Sequence, residues 1–191
     1  MSQLVVALAG TDHHPFERLV RWVDAAAAER PEVRFVVQHG LSSPPTVAEG
    51  YRFIVHDGLV SLLSSASAVV CHGGPGVITE AREAGHLPIC VPRDPALREH
   101  VDGHQQRFAA LAAGEGVVRT VRTREAFDRE LEAALRRSAD AHDPGTPNNL
   151  RVLARTLAAA ELDEVAHLRP FRVARLHRSR VGLPAPGLAE S

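Results

Sequence analysis

The sequence predicts an α/β protein with a Rossmann-like, doubly wound parallel sheet. Short runs rich in β-branched residues alternate with helical patterns along most of the chain. A glycine-rich turn, "HGGPG" at 72–76, follows the fourth of these runs. Alternating strands and helices are typical of a parallel sheet covered by helices on both faces, and ligands bind such sheets at the carboxyl ends of the strands.

The first half of the chain contains three predicted strands. "QLVVALAG" is almost entirely apolar, as expected for a buried strand, and Phe16, Leu19 and Val23 recur at helical spacing in the segment that follows. "SSPPTVAEG" is predicted to be a loop. In order, the elements are a strand at 3–10, a helix at 15–30, a strand at 33–40, a strand at 51–55 and a short helix at 58–66.

The second half contains three further strand–helix units and then changes in composition. Its elements are a strand at 68–71, a helix to about 84, a strand at 87–92, a helix at 104–113, a strand at 116–121 and a helix at 123–137. The predicted organisation is a domain at 1–139, a linker at 140–149, and a helical extension with an arginine-rich tail at 150–191. The tail is either solvated or docks on a partner or an anionic membrane surface.

Composition excludes several classes of protein. A net charge of −1 and an aromatic content of 4% argue against a nucleic-acid binder. The absence of lysine excludes a Walker-type P-loop, a Schiff-base lysine and a Ser-Lys dyad, and no G-x-S-x-G elbow is present. Cys71 and Cys90 are predicted to be buried thiols. Without a signal sequence or a membrane-spanning run, the chain is expected to be soluble and cytoplasmic.

The glycine-rich turn has the chemistry of an anion site. Gly73, Gly74 and Gly76 open the helix after the fourth strand, where backbone N–H groups and the helix dipole favour a diphosphate. His72 could add a hydrogen bond or a positive charge, and Glu80, one helical turn further on, suits a pair of ribose hydroxyls. The alternative is a tight turn that binds nothing. The third glycine of a dinucleotide fingerprint is missing.

Histidines and arginines elsewhere on the ligand side leave alternatives open. One of His13 and His14 could act as a base or orient an acceptor, or both could be exposed loop residues. His100 and His104 have the i, i+4 spacing of a metal pair, but no third ligand is obvious and no metal is predicted. Arg93 is expected either to approach phosphate or a partner, or to be solvated.

Several motifs in order resemble one family. "GTDHHPFERLV", "HGGPGVITEAREAG", "PICVPR" and "EHVDGHQQRFAALAAGEGVV" resemble the C-terminal, donor-binding half of glycosyltransferase family 28, over about 3–135. The similarity is to its short members, the catalytic subunits of two-part transferases for dolichol-linked chitobiose and bacterial exopolysaccharides. The resemblance implies one Rossmann-like half of a GT-B enzyme.

The resemblance also implies roles for individual residues. The turn residues would cradle the diphosphate of a UDP-sugar, Glu80 would bind the ribose, and the end of the third strand would meet the uracil. Apart from the resemblance, His14 and His72 are predicted to be catalytic. The implied donor-binding residues are Gly10, Thr11, Val55, His72, Gly73, Gly74, Gly76, Glu80, His104 and Gln105. The family often has serine or threonine where this chain has Val77, and lysine where it has His86.

The resulting functional hypothesis is an inverting hexosyltransferase subunit that needs neither metal nor organic cofactor. A membrane-associated partner subunit would supply the acceptor, a lipid-linked or other saccharide, and would hold this chain at the cytoplasmic membrane face; a homo-oligomer stays open. The alternatives are a nucleotide-sugar-binding or regulatory module without turnover, and a UDP-sugar epimerase-like protein.

Overall fold

A computed structural model describes residues 3–139 of the chain. Six strands form one sheet: β1 (Leu4–Leu8), β2 (Arg34–Gln38), β3 (Glu49–Tyr51), β4 (Ala68–Cys71), β5 (Ile89–Cys90) and β6 (Arg119–Thr120). Five α-helices connect or follow them: α1 (Glu17–Ala28), α2 (His56–Ser65), α3 (Pro75–Glu83), α4 (His104–Gly114) and α5 (Arg124–Ala139). A short 3-10 helix, Pro95–Leu97, lies in the loop between β5 and α4.

The strands are all parallel and lie in the order β3-β2-β1-β4-β5-β6. The chain therefore builds outward from β1 to one edge and then crosses to β4, on the other side of β1. This reversal makes a topological switch point, where the loops after β1 and β4 diverge and leave a crevice at the carboxyl ends of the strands. Leu8 pairs with Cys71 at this end of the sheet, so the two loops start side by side.

Alternation along β1 explains how the sheet packs between two helical layers. Val5 and Ala7 belong to an apolar cluster with residues of α1 and α5, whereas Leu4, Val6 and Leu8 pack with residues of α2 and α3. All five residues are buried, as expected for a central strand covered on both faces. Cys71 and Cys90 are buried free thiols, as the sequence predicted.

The third strand was predicted two residues too late. The apolar letters of "YRFIV" suggested a strand at 51–55, but β3 is the edge strand and ends at Tyr51. Beyond it, the Ile54 N–H donates to the Gln38 side chain at 3.0 Å, and Phe53 is 51% exposed. The loop before β3 fixes the register, because the Asp24 carboxylate accepts the backbone N–H groups of residues 46–48.

The predicted domain boundary at 139/140 stays a prediction, because the described residues end at 139. The linker at 140–149 and the extension with its basic tail at 150–191 lie outside them. Within residues 3–139, no helix combines the length and the apolar character needed to cross a bilayer.

Candidate functional site

The glycine-rich turn enters α3 without a side-chain cap. Gly74 is the N-cap in an extended conformation, with φ −83° and ψ 134°, and Pro75 occupies the first helical position. Proline suits that position because its missing N–H would have no partner inside the helix. The first amides of α3 therefore face the crevice without a side-chain acceptor at the cap, which is the arrangement that favours an anion.

The three glycines of the turn differ in what a side chain at their positions would meet. A Cβ on Gly73 would lie 2.9 Å from both Cβ and the carbonyl oxygen of Gln105, and a Cβ on Gly74 would overlap the His72 ring. A Cβ on Gly76 would meet nothing within 4 Å. Packing thus requires glycine at 73 and 74, whereas the space at Gly76 opens outward. No packing contact among the described residues accounts for the glycine at position 76.

His72 lies between two glycines. Gly10, at φ +89°, also approaches the ring, since a Cβ there would be 2.7 Å from Cε1. Removal of the imidazole from water lowers the pKa of His72 to about 4. The ring is therefore neutral near pH 7, and the expectation that it could supply a positive charge is wrong for this structure. Its Nδ1 lies 3.3 Å from the Leu8 carbonyl oxygen, which can only accept, so the proton belongs on Nδ1.

The loop after β1 holds a carboxylate–imidazole pair. Asp12 Oδ1 accepts the backbone N–H of His14 at 2.7 Å and lies 2.6 Å from its Nδ1. Burial opposes ionisation of Asp12, but these hydrogen bonds and the charge of Arg93 outweigh it and lower the pKa of Asp12 to about 2. An ionised Asp12 fixes the His14 proton on Nδ1 and leaves Nε2 to accept another. His13 is 77% exposed, and Thr11 is exposed.

A buried arginine ties this loop to the one after β5. The Arg93 guanidinium is 1% exposed and donates to the carbonyl oxygens of Ala9, His14 and Glu99 at 2.7–2.8 Å. The Glu99 carboxylate in turn accepts two hydrogen bonds from Arg18, at 2.6 and 2.9 Å. Solvation and contact with phosphate were the alternatives expected from the sequence. Arg93 does neither, and instead it is a structural brace of the crevice.

Two further histidines and an aspartate complete the β5–α4 loop. His100 is largely buried, with Nε2 3.6 Å from Asp12 Oδ2 and Nδ1 3.8 Å from Asp102 Oδ1. Asp102 Oδ1 also accepts the His104 backbone N–H at 2.9 Å and lies 2.5 Å from its ring Nδ1. Residues 100–103 precede α4, so His100 and His104 are not on one helical face, although their rings lie 4.6 Å apart.

Gln105 contributes an unsatisfied acceptor to the same region. The residue is 5% exposed, and its Oε1 has no hydrogen-bond partner among residues 3–139. An unpaired buried polar atom costs about 1–3 kcal/mol. Gln105 also packs against Gly73, so this unpaired oxygen lies next to the glycine turn. A hydroxyl group of a ligand could donate a hydrogen bond to it.

Glu80 and Val55 form a second group. The Glu80 carboxylate, 33% exposed, lies 3.8 Å from Nδ1 of His56, the residue that follows Val55. Val55 is 78% exposed and is the N-cap of α2, not the end of a strand as predicted. Glu80 thus lies close to the residue that follows Val55. Of the other predicted residues, Gly10 and Gly74 lie against His72, and Gly73 lies against Gln105.

Similarity to known proteins shows which family the chain belongs to. The model of the glycosyltransferase family 28 C-terminal domain matches residues 4–154, and the chain therefore belongs to that family. No curated protein is significantly similar to it in sequence.

Two solved structures share the fold. The glycotransferase of kitacinnamycin is 20% identical, with a TM-score of 0.53 over 86% of this chain and 43% of that one. The spinosyn forosaminyltransferase SpnP is 18% identical, with a TM-score of 0.53 over 87% of this chain and 43% of that one. The chain thus spans less than half the length of either. The predicted fold, a Rossmann-like sheet of the type found in one half of a GT-B enzyme, is confirmed.

Proposed function

We propose that this chain is the donor-binding subunit of an inverting hexosyltransferase that uses a UDP-sugar. The observation that carries the proposal is the uncapped start of α3, with open space at Gly76, beside the Asp12–His14 pair at the switch point of the sheet. Family membership supports transfer of a glycosyl group, and the individual contacts rest on the positions of these residues.

The diphosphate is placed at the first turn of α3. Backbone N–H groups of an uncapped helix and its dipole stabilise two negative charges without a counter-ion, so the leaving UDP needs no metal. Val77 has no hydroxyl to add, and its side chain packs instead against two apolar clusters of the core. Binding at this turn therefore depends on the backbone, and His72 contributes as a neutral ring that shapes it.

The nucleoside is placed on the other side of α3. The Glu80 carboxylate is partly exposed one turn into the helix, where it can accept hydrogen bonds from both ribose hydroxyls. The backbone around Val55 is proposed to contact the uracil. On the opposite side of the turn, His104 and the unsatisfied oxygen of Gln105 are proposed to contact hydroxyl groups of the sugar.

Transfer is proposed as a single displacement. An acceptor hydroxyl attacks the anomeric carbon while the bond from that carbon to the UDP oxygen breaks, so the configuration inverts. The proton of the hydroxyl passes to Nε2 of His14, which Asp12 orients through Nδ1. The electron pair of the broken bond stays on the diphosphate at the start of α3.

A partner is proposed to complete the enzyme. The chain spans only 43% of each of two glycosyltransferases that share its fold. The acceptor-binding half is proposed to belong to another chain, which brings a lipid-linked or other saccharide to the cytoplasmic membrane face. The basic segment beyond 150 is a candidate dock. The alternative, a module that binds a nucleotide-sugar without turnover, is favoured by Val77, which offers no hydroxyl to the phosphate.

Calorimetric titration of the full chain with UDP, UMP, uridine and several UDP-sugars tests the proposal. We expect UDP to bind and uridine to bind much more weakly, because the diphosphate contacts dominate. Transfer only in the presence of the partner supports the two-subunit enzyme. Binding without transfer beside that partner favours the module, and no UDP binding removes both.

A further inference from the structure

The β5–α4 loop carries a ligand set that donor binding does not use in full. "HVDGH" at 100–104 places two imidazoles and one carboxylate at alternate positions, and their candidate ligand atoms all lie within 4.8 Å of one another. We propose that His100, Asp102 and His104 form a binding site for a divalent transition-metal ion of the zinc type.

The distances need little adjustment. Asp102 Oδ1 lies 2.5 Å from His104 Nδ1 and 3.8 Å from His100 Nδ1, so both rings present the same nitrogen to one carboxylate. Zinc binds these atoms at about 2.0–2.2 Å, which puts neighbouring ligand atoms roughly 3–4 Å apart. The metal would replace the proton now shared between Asp102 and His104, and it would displace the Asp102 backbone N–H, which donates to His100 Nδ1 at 3.4 Å.

A further carboxylate lies near the second ring nitrogen of His100. Histidine ligands of metals commonly direct their second ring nitrogen at a carboxylate, which fixes the ring. His100 Nε2 faces Asp12 Oδ2 at 3.6 Å, and Asp12 is itself held by His14. His100 is also next to Glu99, which Arg18 and Arg93 hold from two sides. His100, the least exposed of the three proposed ligands, therefore has neighbours that hydrogen bonds hold in place.

Access and ligand chemistry point to the same class of ion. The side chains of Asp102 and His104 are 57% and 39% exposed, so an ion can enter from solvent and keep at least one position for water. Two imidazoles with one carboxylate suit zinc and its neighbours, whereas magnesium and calcium prefer oxygen ligands alone. A second group, Asp12, His13 and His14, is a weaker candidate because the positive charge of Arg93 acts on Asp12 and would repel a cation, and because the His13 side chain is 77% exposed.

Metal binding at this loop would affect the donor. His104 is a proposed contact of the sugar, so an ion on its ring and a bound UDP-sugar would compete. That consequence rests on the proposed function, but the metal site does not, because it is defined by ligands that can be titrated without any nucleotide.

The test is a titration of the metal-free full chain with Zn²⁺ by calorimetry and with Co²⁺ by visible absorption. We expect one site per chain and the visible bands of nitrogen- and oxygen-bound cobalt. Asp102→Asn, which keeps an oxygen for the His104 N–H, should weaken Zn²⁺ binding at least tenfold, and so should His100→Ala. His56→Ala, an exposed histidine outside the loop, should leave binding unchanged.

The outcomes separate a specific site from adventitious binding to histidine. If Asp102→Asn and His56→Ala both bind Zn²⁺ as the parent does, the proposal is overturned, and circular dichroism of each variant verifies that the comparison is between folded proteins. Failure of UDP to bind while Zn²⁺ binds as expected would leave the metal site standing and count against the proposed function only.

Discussion

Asp12 accepts hydrogen bonds from the backbone N–H and from the ring Nδ1–H of His14, at 2.7 and 2.6 Å, in the loop after β1. One carboxylate thus sets the conformation of the loop and the tautomer of the ring. His14 and Asp12 are thus arranged like a general base and the carboxylate that orients it, and they lie at the topological switch point of the sheet.

Replacement of His14 by alanine is expected to lower kcat by about 100-fold or more, in the range for loss of a general base. Affinity for UDP should change little, because the ring is proposed to contact the acceptor. Steady-state kinetics with the partner subunit measure the first, and calorimetry the second. His13→Ala is the control, since that side chain is 77% exposed. Equal losses in both variants would contradict a specific role for His14.

Alanine at position 76 and alanine at position 74 are expected to act in opposite ways. Gly74→Ala should destabilise the fold, because its Cβ would overlap the His72 ring. Gly76→Ala should fold with an equal or higher Tm, since a Cβ there meets nothing within 4 Å and alanine favours a helix by about 1 kcal/mol. It should nevertheless bind UDP at least tenfold more weakly. Thermal unfolding with and without UDP measures both, and unchanged affinity in Gly76→Ala would argue against a diphosphate at this turn.

Glu80→Gln is expected to weaken binding of UDP about tenfold through loss of charge-assisted hydrogen bonds to the ribose. The ratio of affinities for UDP and 2′-deoxy-UDP should shrink in the variant, because the parent distinguishes them through this carboxylate. Glu83→Gln, an exposed change on the same helix, is the matched control. If the ratio of affinities for UDP and 2′-deoxy-UDP is the same in the parent and in Glu80→Gln, the ribose does not bind at Glu80.

Arg93→Met should cost several kcal/mol of stability, because three carbonyl oxygens lose their donor in a buried setting where each unpaired group costs about 1–3 kcal/mol. Urea denaturation measures the change in the free energy of unfolding. Arg21→Met, an exposed substitution on α1, should be nearly neutral. Similar small effects in both would mean that Arg93 does not brace the two loops.

Stability should fall as pH drops from about 6.5 to 4. Burial lowers the pKa of His72 from its usual 6.5 to about 4 in the fold, so the unfolded chain takes up this proton first as the pH falls. The contribution is fully present above pH 6.5 and falls by up to about 3 kcal/mol towards pH 4. Denaturation at several pH values measures the slope, and His72→Asn should flatten it. An unchanged slope in the variant would assign the effect to other groups.

Much of the fold could be predicted because it depends on patterns that neighbouring residues set. The apolar run of β1 and the glycine turn after β4 indicated a parallel sheet with its site at the carboxyl ends. β3 was misplaced because its register depends on Asp24, which accepts N–H groups more than twenty residues away. No local pattern reports such a contact.

The site was only partly predictable for the same reason. The missing side chain at Gly74 was interpreted as room for the approach of a ligand, although the His72 ring already requires a glycine there. Asp102 was missed as a partner of His100 and His104 because only the conformation of the loop before α4 brings one of its oxygens near both rings. Arg93 follows a strand like many surface arginines, and only the tertiary fold directs it inward.

The most direct test is a crystal structure of the full chain with UDP. We expect the diphosphate to accept hydrogen bonds from the backbone N–H groups at the start of α3, next to Gly76, with the Glu80 carboxylate on the ribose hydroxyls. A UDP molecule bound elsewhere while the start of α3 stays empty would contradict the central claim.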